Sequence, residues 1–486
     1  MHRFDKINLS GSDNMPPKDF EIAPSNSTRR ILAIGTILAA QFMLQMDFLI
    51  DIVALPRIQA DLGFSTAGLS WVPNAFALAF GGLLLLGGRL GDIYGKVRAF
   101  QAGLALFLAA SLLGGFAQSP AVLILARLLQ GMGAAVAGPS VLALITVMAR
   151  DEVERNRGLS LFIAVSSIGA SAGLILGGVL TDFFSWRWSL LINLPVGAFV
   201  LILVRILVAE TPRTPARLDI WGAATATLGS LAIVYGFIGA ADHGWTSIGT
   251  IPAFVAAAVL LLAFLRIEGR IAEPLLELDL LRNRARLGGL AVMAIVVGMH
   301  FSMLFLVVQY LQQVLGFGPL AAGFAYLPLT ATVFIVTQFV PQLIERFGAR
   351  LLLINGSILV ASSLVGFAML SATSSYFPAV LLPMFIHAIG IALVFAPGTV
   401  AIMDGVPDEH AGAASGLLQM DQQIGGALGI AAIMSIYAIP AVPGQFVGGL
   451  SGAFLGAAII STIAACIAWW AIPERQSTSR LSSLEV

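Results

Sequence analysis

Charged residues are scarce in this sequence. They make up 11% of the 486 residues, whereas a soluble domain carries about 25%. A water-exposed surface cannot be covered by so few charges, which excludes a soluble globular protein. Hydrophobic residues make up 58% of the chain, and fourteen membrane helices of about 22 residues would use roughly 308 residues. The sequence therefore predicts an all-α polytopic membrane protein.

The sequence also lacks the residues that most enzymes and metal sites require. Its single cysteine, Cys466, excludes an intramolecular disulfide and a thiolate metal cluster. The five histidines are scattered, and no nucleophile cluster or long soluble loop is present, so we do not expect an enzyme, a receptor or a metal site. Zero net charge and the lack of a Lys/Arg-rich run argue against nucleic-acid binding. A phosphate-binding loop is missing too, so ATP-driven pumping would need a partner subunit.

Apolar runs bounded by charge, Gly or Pro predict the membrane spans. The predicted spans are 31–55, 65–88, 99–117, 121–148, 158–181, 188–208, 220–240, 251–266, 287–310, 319–343, 351–371, 377–403, 412–438 and 447–472. With the N-terminus inside, inner segments hold 23 of the 26 Lys and Arg residues. Because Lys and Arg concentrate in cytoplasmic loops, the tails 1–30 and 473–486 are both predicted to be cytoplasmic. The first span is too long for a cleaved secretory signal.

Two predicted inner turns are similar to each other. In the first, Asp92 is followed three residues later by Gly95 and then by bases, and in the second Glu345 is followed by Gly348 and Arg350. This weak repeat predicts two six-helix bundles, and duplicated halves around a central site are a common transporter plan. The predicted bundles are residues 31–208 and 287–472, with two additional central helices and their inner loops in 209–286.

Several stretches resemble one known family. The inner turn Gly88–Arg98 resembles the signature loop of the major facilitator superfamily. Met46–Pro56 resembles the first-helix motif of its fourteen-helix drug:proton antiporter family, Leu125–Ala135 resembles that family's intramembrane arginine motif, and Trp186–Gly197 is similar to another typical stretch. The second half adds Tyr310-Leu-Gln312, Ala322-Gly323 and Ala414-Ser415-Gly416. The resemblance covers residues 31–472 and implies the major facilitator fold.

The fifth span departs from the family pattern at one position. Leu174 follows Gly173 where antiporters of this superfamily usually carry Gly-Pro. Small residues still recur at four-residue spacing, which predicts tight packing among the fourth to sixth helices. These residues are Gly169, Gly173, Gly177 and Gly178.

Three ionisable residues of the first half fall inside predicted spans, where a charge costs about 2.5–3.5 kcal/mol. Asp47 lies about 12 Å from the outer end of the first span, and Arg127 lies about 10 Å from the same side in the fourth span. We therefore predict that the two meet and that Arg127 tunes the proton affinity of Asp47. A structural ion pair is the alternative. Asp51, one turn nearer the outer mouth, is expected either to take part in proton coupling or to be merely hydrated.

Asp421 lies about 14 Å deep in the thirteenth span, which contains no basic residue. An unpaired acid at that depth either is protonated or faces a cavity, so we predict a proton-coupling role, with a hydrogen-bonded structural acid as the alternative. Five further polar residues are weaker expectations, since each could line a substrate cavity or simply hold helices together. They are Gln130, Gln309, Gln313, His300 and His387.

The resemblance implies a proton-driven exporter of hydrophobic, often cationic drugs that works by alternating access. It implies no cofactor beyond the proton gradient, a location in the plasma (inner) membrane and a monomer, with protons, lipid and small substrates as partners. The turn residues Gly88, Asp92, Gly95, Lys96 and Arg98 are expected to act as a conformational latch. The alternative is a dedicated exporter or importer of one metabolite, such as an antibiotic, a peptide or an organic anion.

Overall fold

All regular structure in the described part of the chain is helical. This computed structural model describes residues 27–149, 151–211, 213, 218–271, 274–276, 281–406, 411–439 and 446–474. The predicted tails lie outside these ranges apart from residues 27–30 and 473–474, and the predicted central region is described in part.

Fourteen long helices follow one another within the described residues. They are α1 (Ser27–Leu62), α2 (Trp71–Tyr94), α3 (Lys96–Gly115), α4 (Pro120–Val147), α5 (Glu152–Phe183), α6 (Arg187–Leu207), α7 (Ile220–His243), α8 (Thr250–Glu268), α9 (Arg284–Gln313), α10 (Pro319–Thr337), α11 (Val340–Ala368), α12 (Tyr376–Met403), α13 (Ala411–Ala438) and α14 (Phe446–Ala471).

The predicted all-α polytopic fold is confirmed. Thirteen helices of the described chain are long and apolar enough to cross a membrane, and α13, with 28 residues, extends about 42 Å. Helix α1, predicted to end at Leu55, continues through Pro56 to Leu62. Pro56 removes one backbone hydrogen bond, a loss that membrane helices tolerate when neighbouring groups satisfy the freed carbonyl.

The two similar turns have similar backbone geometry. Gly95, between α2 and α3, has φ 99° and ψ 137°, and Gly348 has φ 76° and ψ 156°. Only glycine adopts such a conformation without strain. In both turns a single glycine separates two helical stretches, since α2 ends at Tyr94 and α3 begins at Lys96, and Gly348 breaks α11 in the same way.

Two helix pairs make the most extensive contacts between the halves. Helix α2 packs along α13, where Gly81 allows the side chain of Gln423 to approach, and α5 packs on α10, where Gly178 lies against Pro319. The additional helices α7 and α8 pair with each other, and α7 packs on both α2 and α13. We call the end of the bundle that holds the turn at Gly95 the Gly95 end, and the end where α1 meets α2 the opposite end.

Candidate functional site

A buried charge network lies inside the first half. Arg127 Nη1 donates to Asp47 Oδ2 at 2.9 Å and lies 3.1 Å from Asp51 Oδ2. The guanidinium also stacks over the ring of Phe76, with Cζ 4.6 Å from the centroid, and its Nε donates to the carbonyl of Val72 at 3.2 Å. The predicted contact between Asp47 and Arg127 is therefore present, and a second carboxyl shares the same guanidinium.

Neutral side chains from three helices complete the network around Asp47. Asp47 Oδ1 accepts hydrogen bonds from Asn193 Nδ2 at 2.5 Å and from Gln130 Nε2 at 3.2 Å. Gln130 also donates to Ser111 Oγ at 2.8 Å and accepts from Arg127 Nη1 at 2.9 Å. Both oxygens of Asp47 therefore have hydrogen-bond donors. Ser111 and Asn193 were not among the predicted site residues. Asn193 lies in the stretch Trp186–Gly197 that is similar to the family, and the sequence signal of Ser111 is a polar side chain within an apolar run.

The two oxygens of Asp51 differ in their surroundings. Ser189 Oγ lies 2.8 Å from Asp51 Oδ1 and 2.6 Å from the carbonyl oxygen of Trp186, and its single hydrogen can serve only one of them. Asp51 Oδ2 is buried without a hydrogen-bond partner among the described residues. The two hydrogens on Nη1 of Arg127 go to Asp47 and Gln130, so its contact with Asp51 Oδ2 is electrostatic only. The expectation of a merely hydrated Asp51 is wrong, because the side chain is 96% buried beside Arg127.

The network faces the core of the first half and not the interface between the halves. Asp47 has no exposed surface, and its partners lie on α3, α4 and α6. The adjacent residue, Phe48, faces the other way and contacts Phe301 of α9, with ring centroids 5.2 Å apart. Asp47 and Arg127 therefore do not line the interface between the halves in this conformation, where α1 directs Phe48 toward the second half instead.

A cavity of about 830 Å³ lies at the Gly95 end. Its walls come from α2, α4, α13 and the segment 274–275. Apolar residues such as Leu85 and Ala143 form one part of the lining, while Arg89, Asp92 and Lys96 give it a charged rim. Drug-sized ligands bind in cavities of about 300–1,000 Å³, so this one has room for such a molecule.

Asp421 lies on α13 two residues beyond Gln419, about half a helical turn away, so it faces away from this cavity and is not among the residues that line it. Its Oδ2 is buried and has no hydrogen-bond partner in the described structure. Gln423, half a turn further along α13, likewise has a buried Oε1 without a partner. An acid in such a position must be neutralised by a proton or a cation when the site is closed.

The glutamines predicted as weak cavity residues do not line the cavity. Gln130 belongs to the network around Asp47. Gln309 donates to the carbonyl of Phe305 on its own helix at 3.2 Å, and Gln313 contacts Gln59 at 3.4 Å where α9 meets α1. Gln130 and Gln313 thus join neighbouring helices, which was the alternative for them, whereas Gln309 bonds within its own helix and its buried Oε1 has no partner among the described residues.

The two histidines form a hydrogen-bonded pair inside the second half, away from the cavity lining. His300 Nδ1 lies 3.0 Å from His387 Nε2, and His387 Nδ1 lies 3.0 Å from Ser363 Oγ. Because Ser363 donates its own proton to the carbonyl of Val360 at 2.6 Å, its oxygen accepts from His387. If both rings are neutral, His387 carries its hydrogen on Nδ1, so its Nε2 accepts the hydrogen bond from His300 Nδ1–H.

The turn between α2 and α3 contains an ion pair and a capped helix start. Lys96 Nζ lies 2.6 Å from Asp92 Oδ1, so Asp92 pairs within its own turn and not with a neighbouring helix. Gly88 lines the cavity beside Pro139. Glu210, which follows α6, accepts from the backbone N–H groups of Val97 and Arg98, both at 3.0 Å.

Glu210 and Thr211 were not predicted as site residues. Thr211 Oγ1 accepts from the backbone N–H of Lys96 at 2.9 Å, and Arg98 Nε lies 3.7 Å from Glu210 Oε2. Capping side chains satisfy helix N–H groups that have no partner within the helix. A Cβ added to Gly95 would lie 2.5 Å from the Glu210 carboxyl carbon, so the turn needs glycine for space as well as for its positive φ.

The small residues of α5 pack closely, but not against the predicted partners. A Cβ on Gly173 would lie 2.5 Å from the carbonyl oxygen of Met46, and one on Gly177 would lie 2.2 Å from that of Ile50. Gly169 faces Phe42 in the same way, whereas Gly178 faces α10. The prediction of contacts among the fourth to sixth helices is wrong, because the glycine row of α5 faces α1.

We expect Gly177→Ala to destabilise the protein by about 1–3 kcal/mol, because the added methyl meets rigid backbone of α1. The matched control is Gly35→Ala on α1, where a Cβ meets nothing within 4 Å and should be neutral or stabilising. Thermal unfolding of both purified variants in detergent measures the difference. Equal unfolding temperatures would contradict the close packing of α5 on α1.

The comparison with known families identifies this arrangement. The profile of the Major Facilitator Superfamily matches residues 37–430. The chain belongs to the major facilitator superfamily. Members of this superfamily are transporters, so the prediction that the protein is not an enzyme is confirmed.

Curated relatives and solved structures agree with this assignment. The chain is 36% identical over 432 residues to the "Uncharacterized MFS-type transporter EfpA" of Mycobacterium tuberculosis, covering 87% of this chain and 81% of that protein. It is 35% identical over 442 residues to the cephamycin export protein CmcT of Amycolatopsis lactamdurans, covering 90% and 91%. The crystal structure of the peptide transporter POT in complex with sulfate has a TM-score of 0.66 at 15% identity, covering 90% of this chain and 94% of that chain. That structural likeness concerns the fold alone.

Proposed function

We propose that this transporter exports small hydrophobic, drug-like compounds in exchange for protons. The relatives supply the direction, since CmcT is named as an export protein. The cavity supplies the space, and the Gly95 end is the proposed cytoplasmic side because inner loops carry the Lys and Arg excess. The protein is proposed to act as a monomer in the plasma membrane, with both tails in the cytoplasm.

The observation that carries proton coupling is the charge count of the buried network. Two carboxyls, Asp47 and Asp51, share the single guanidinium of Arg127. The summed charge of the three groups is zero only when one carboxyl holds a proton, and a net charge inside a membrane is costly. Asp51 Oδ2, which lacks a donor, is the proposed place for that proton. Asp47 is the proposed permanent counter-ion of Arg127.

Asp421 is the proposed contact for the charged part of a cationic substrate. One of its oxygens has no partner in the described structure. Its side chain points about half a helical turn away from the cavity-lining residue Gln419 in this conformation, so α13 would have to rotate for the carboxyl to reach a bound cation. A proton and a cation would then compete for this carboxyl, so that binding of one favours release of the other. Because Asp421 lies in the second half and Arg127 in the first, the network and the substrate site would communicate through helix movement.

Asp92 and its neighbours remain a predicted latch. In this conformation Asp92 pairs with Lys96 while Glu210 holds the start of α3. We propose that Asp92 leaves Lys96 for the N-terminal end of α13 when the Gly95 end closes, since both line the same cavity. Undiminished transport by Asp92→Asn at normal abundance would contradict this proposal.

The test of the proposed function is drug-triggered proton release in proteoliposomes that hold a pH gradient. Ethidium and a neutral lipophile are the test substrates, and Asp421→Asn is compared with the unchanged protein. We expect proton flux with both compounds, and we expect Asp421→Asn to lose the flux driven by ethidium while keeping that driven by the neutral compound. Drug movement without proton flux, from folded protein, would overturn the exchange.

A dedicated antibiotic exporter is the second candidate, and the name of CmcT favours it. The same fold and the same network would serve it, but the cavity would accept a single chemical class. A substrate panel in the same assay separates the two, since flux with one compound only would favour the dedicated carrier. An organic-anion carrier fits less well, because Arg127 is committed to two carboxyls.

A further inference from the structure

Two buried acids meet in the helix pair formed by α7 and α8, far from the network around Arg127. Asp219 precedes α7 and Glu268 ends α8, and the two residues are 2% and 3% exposed. Asp219 Oδ1 accepts from the backbone N–H of Gly222 at 2.7 Å. Glu268 Oε2 accepts from the backbone N–H of Leu276 at 3.0 Å. One oxygen of each carboxyl is thus fixed by main chain.

The second oxygens of these carboxyls point to a common place. Asp219 Oδ2 and Glu268 Oε1 are both buried without a hydrogen-bond donor among the described residues. The position of a Cβ built on Gly222 lies 2.1 Å from the first oxygen and 2.7 Å from the second, so the two oxygens lie within about 5 Å of each other. Gly222 makes the approach possible, because any side chain there would occupy the same space.

The surrounding elements provide no cation that pairs with either acid. Within the described chain, no Lys or Arg forms an ion pair with Asp219 or Glu268. Charged side chains on the elements that pack around them are either exposed, rim the cavity or lie deeper on α13. They are Arg266 on α8, Arg270 just beyond the end of α8, Arg89 and Asp92 on α2, and Asp421 on α13.

We propose that Asp219 and Glu268 form a proton-binding site in which one carboxyl holds a proton and donates it to the other. Two adjacent carboxylates that are removed from water and unpaired with a cation repel each other, and a single shared proton both removes one charge and gives the free oxygens a hydrogen bond. Release of this proton to water leaves two carboxylates facing each other. The carboxyls must then separate.

This site is linked to the wall of the cavity. Glu268 holds the backbone of Leu276, and the two preceding residues, Pro274 and Leu275, line the 830 Å³ cavity. Separation of the acids would therefore release the segment 274–276 and move the part of the cavity wall that lies next to α7 and α8. The cytoplasmic pH would thus act on the cavity wall through a site that takes no part in binding the exported compound. The inference does not depend on which compound is exported or on proton exchange.

Infrared difference spectroscopy of the full chain tests for the shared proton directly. The carbonyl stretch of a protonated carboxylic acid should be present at neutral pH and should decrease when either Glu268→Gln or Asp219→Asn is introduced. The control is Asp242→Asn, which removes an exposed acid at the other end of α7 and should leave that band unchanged. The proposal would be overturned if neither Glu268→Gln nor Asp219→Asn altered the band. It would also be overturned if the band appeared only after divalent cations were chelated.

Thiol labelling tests the link to the wall. The chain has one cysteine, so Leu275→Cys in a Cys466→Ser background gives a single thiol to label. Val147→Cys, on the opposite cavity wall, corrects for the pH dependence of thiolate chemistry. We expect the ratio of labelling rates to rise with pH, by up to about tenfold per pH unit across the titration. Glu268→Gln, whose amide can donate to Asp219 without titrating, should make the ratio low and independent of pH. A pH-dependent ratio that persists in Glu268→Gln would contradict the link.

Discussion

Arg127→Gln is expected to lower the stability of the protein by about 3–5 kcal/mol, because it removes the only cation from a buried pair of carboxyls. Asp47 would keep its donors from Gln130 and Asn193, but its charge and that of Asp51 would be uncompensated. Thermal unfolding in detergent measures the loss. Arg205→Gln, which removes an exposed arginine from α6, is the matched control and should unfold near the unchanged protein.

A second substitution separates charge from packing in this result. Arg127→Gln combined with Asp47→Asn leaves a single carboxyl, which a proton can neutralise, so the double variant should recover part of the lost stability. If the double variant is no more stable than Arg127→Gln alone, the loss comes from the packing of Arg127 on Phe76 and the charge argument fails.

Asp51→Asn is expected to abolish proton-driven accumulation of substrate while leaving the protein folded. The asparagine keeps an oxygen for Ser189 but cannot take up a proton at the position of Oδ2. For one-for-one exchange, a gradient of one pH unit supports about tenfold accumulation, and this factor should disappear in proteoliposomes. Downhill movement of substrate should continue, because the cavity is unchanged.

Two comparisons make the Asp51→Asn result specific. Asp182→Asn removes an exposed acid from α5 and should retain the accumulation. Asp47→Asn should reduce the amount of folded protein more than Asp51→Asn does, because Asp47 accepts three hydrogen bonds that require a carboxylate. Normal accumulation by Asp51→Asn would remove this residue from proton coupling and return that role to Asp47.

The contact between Asp47 and Arg127 could be predicted from the sequence, because depth in a membrane helix follows from counting residues. Helix rotation could not be predicted in the same way. The sequence alone does not show that Asp47 faces the core of its own half while Phe48 faces the other half, or that Nη1 of Arg127 has no hydrogen left for Asp51. These features depend on side-chain directions set by several helices at once.

The same limit applies to partners that are distant in sequence. The glycines of α5 were recognised as packing residues, yet their partner is α1, more than a hundred residues earlier. Glu210 and Thr211 contact the start of α3 across a similar separation, and neither residue type is unusual after a membrane helix. The predicted repeat, in contrast, rests on glycines whose backbone conformation only glycine adopts easily, which is why a short pattern sufficed to find it.

The position of α7 restricts how a lipid-dissolved compound can reach the cavity. Because α7 packs on both α2 and α13, it covers the seam between these helices and separates it from the acyl chains. A compound that partitions into the bilayer before transport would therefore meet α7 before it reached this seam, whereas a bundle without α7 would present the seam directly to the lipid.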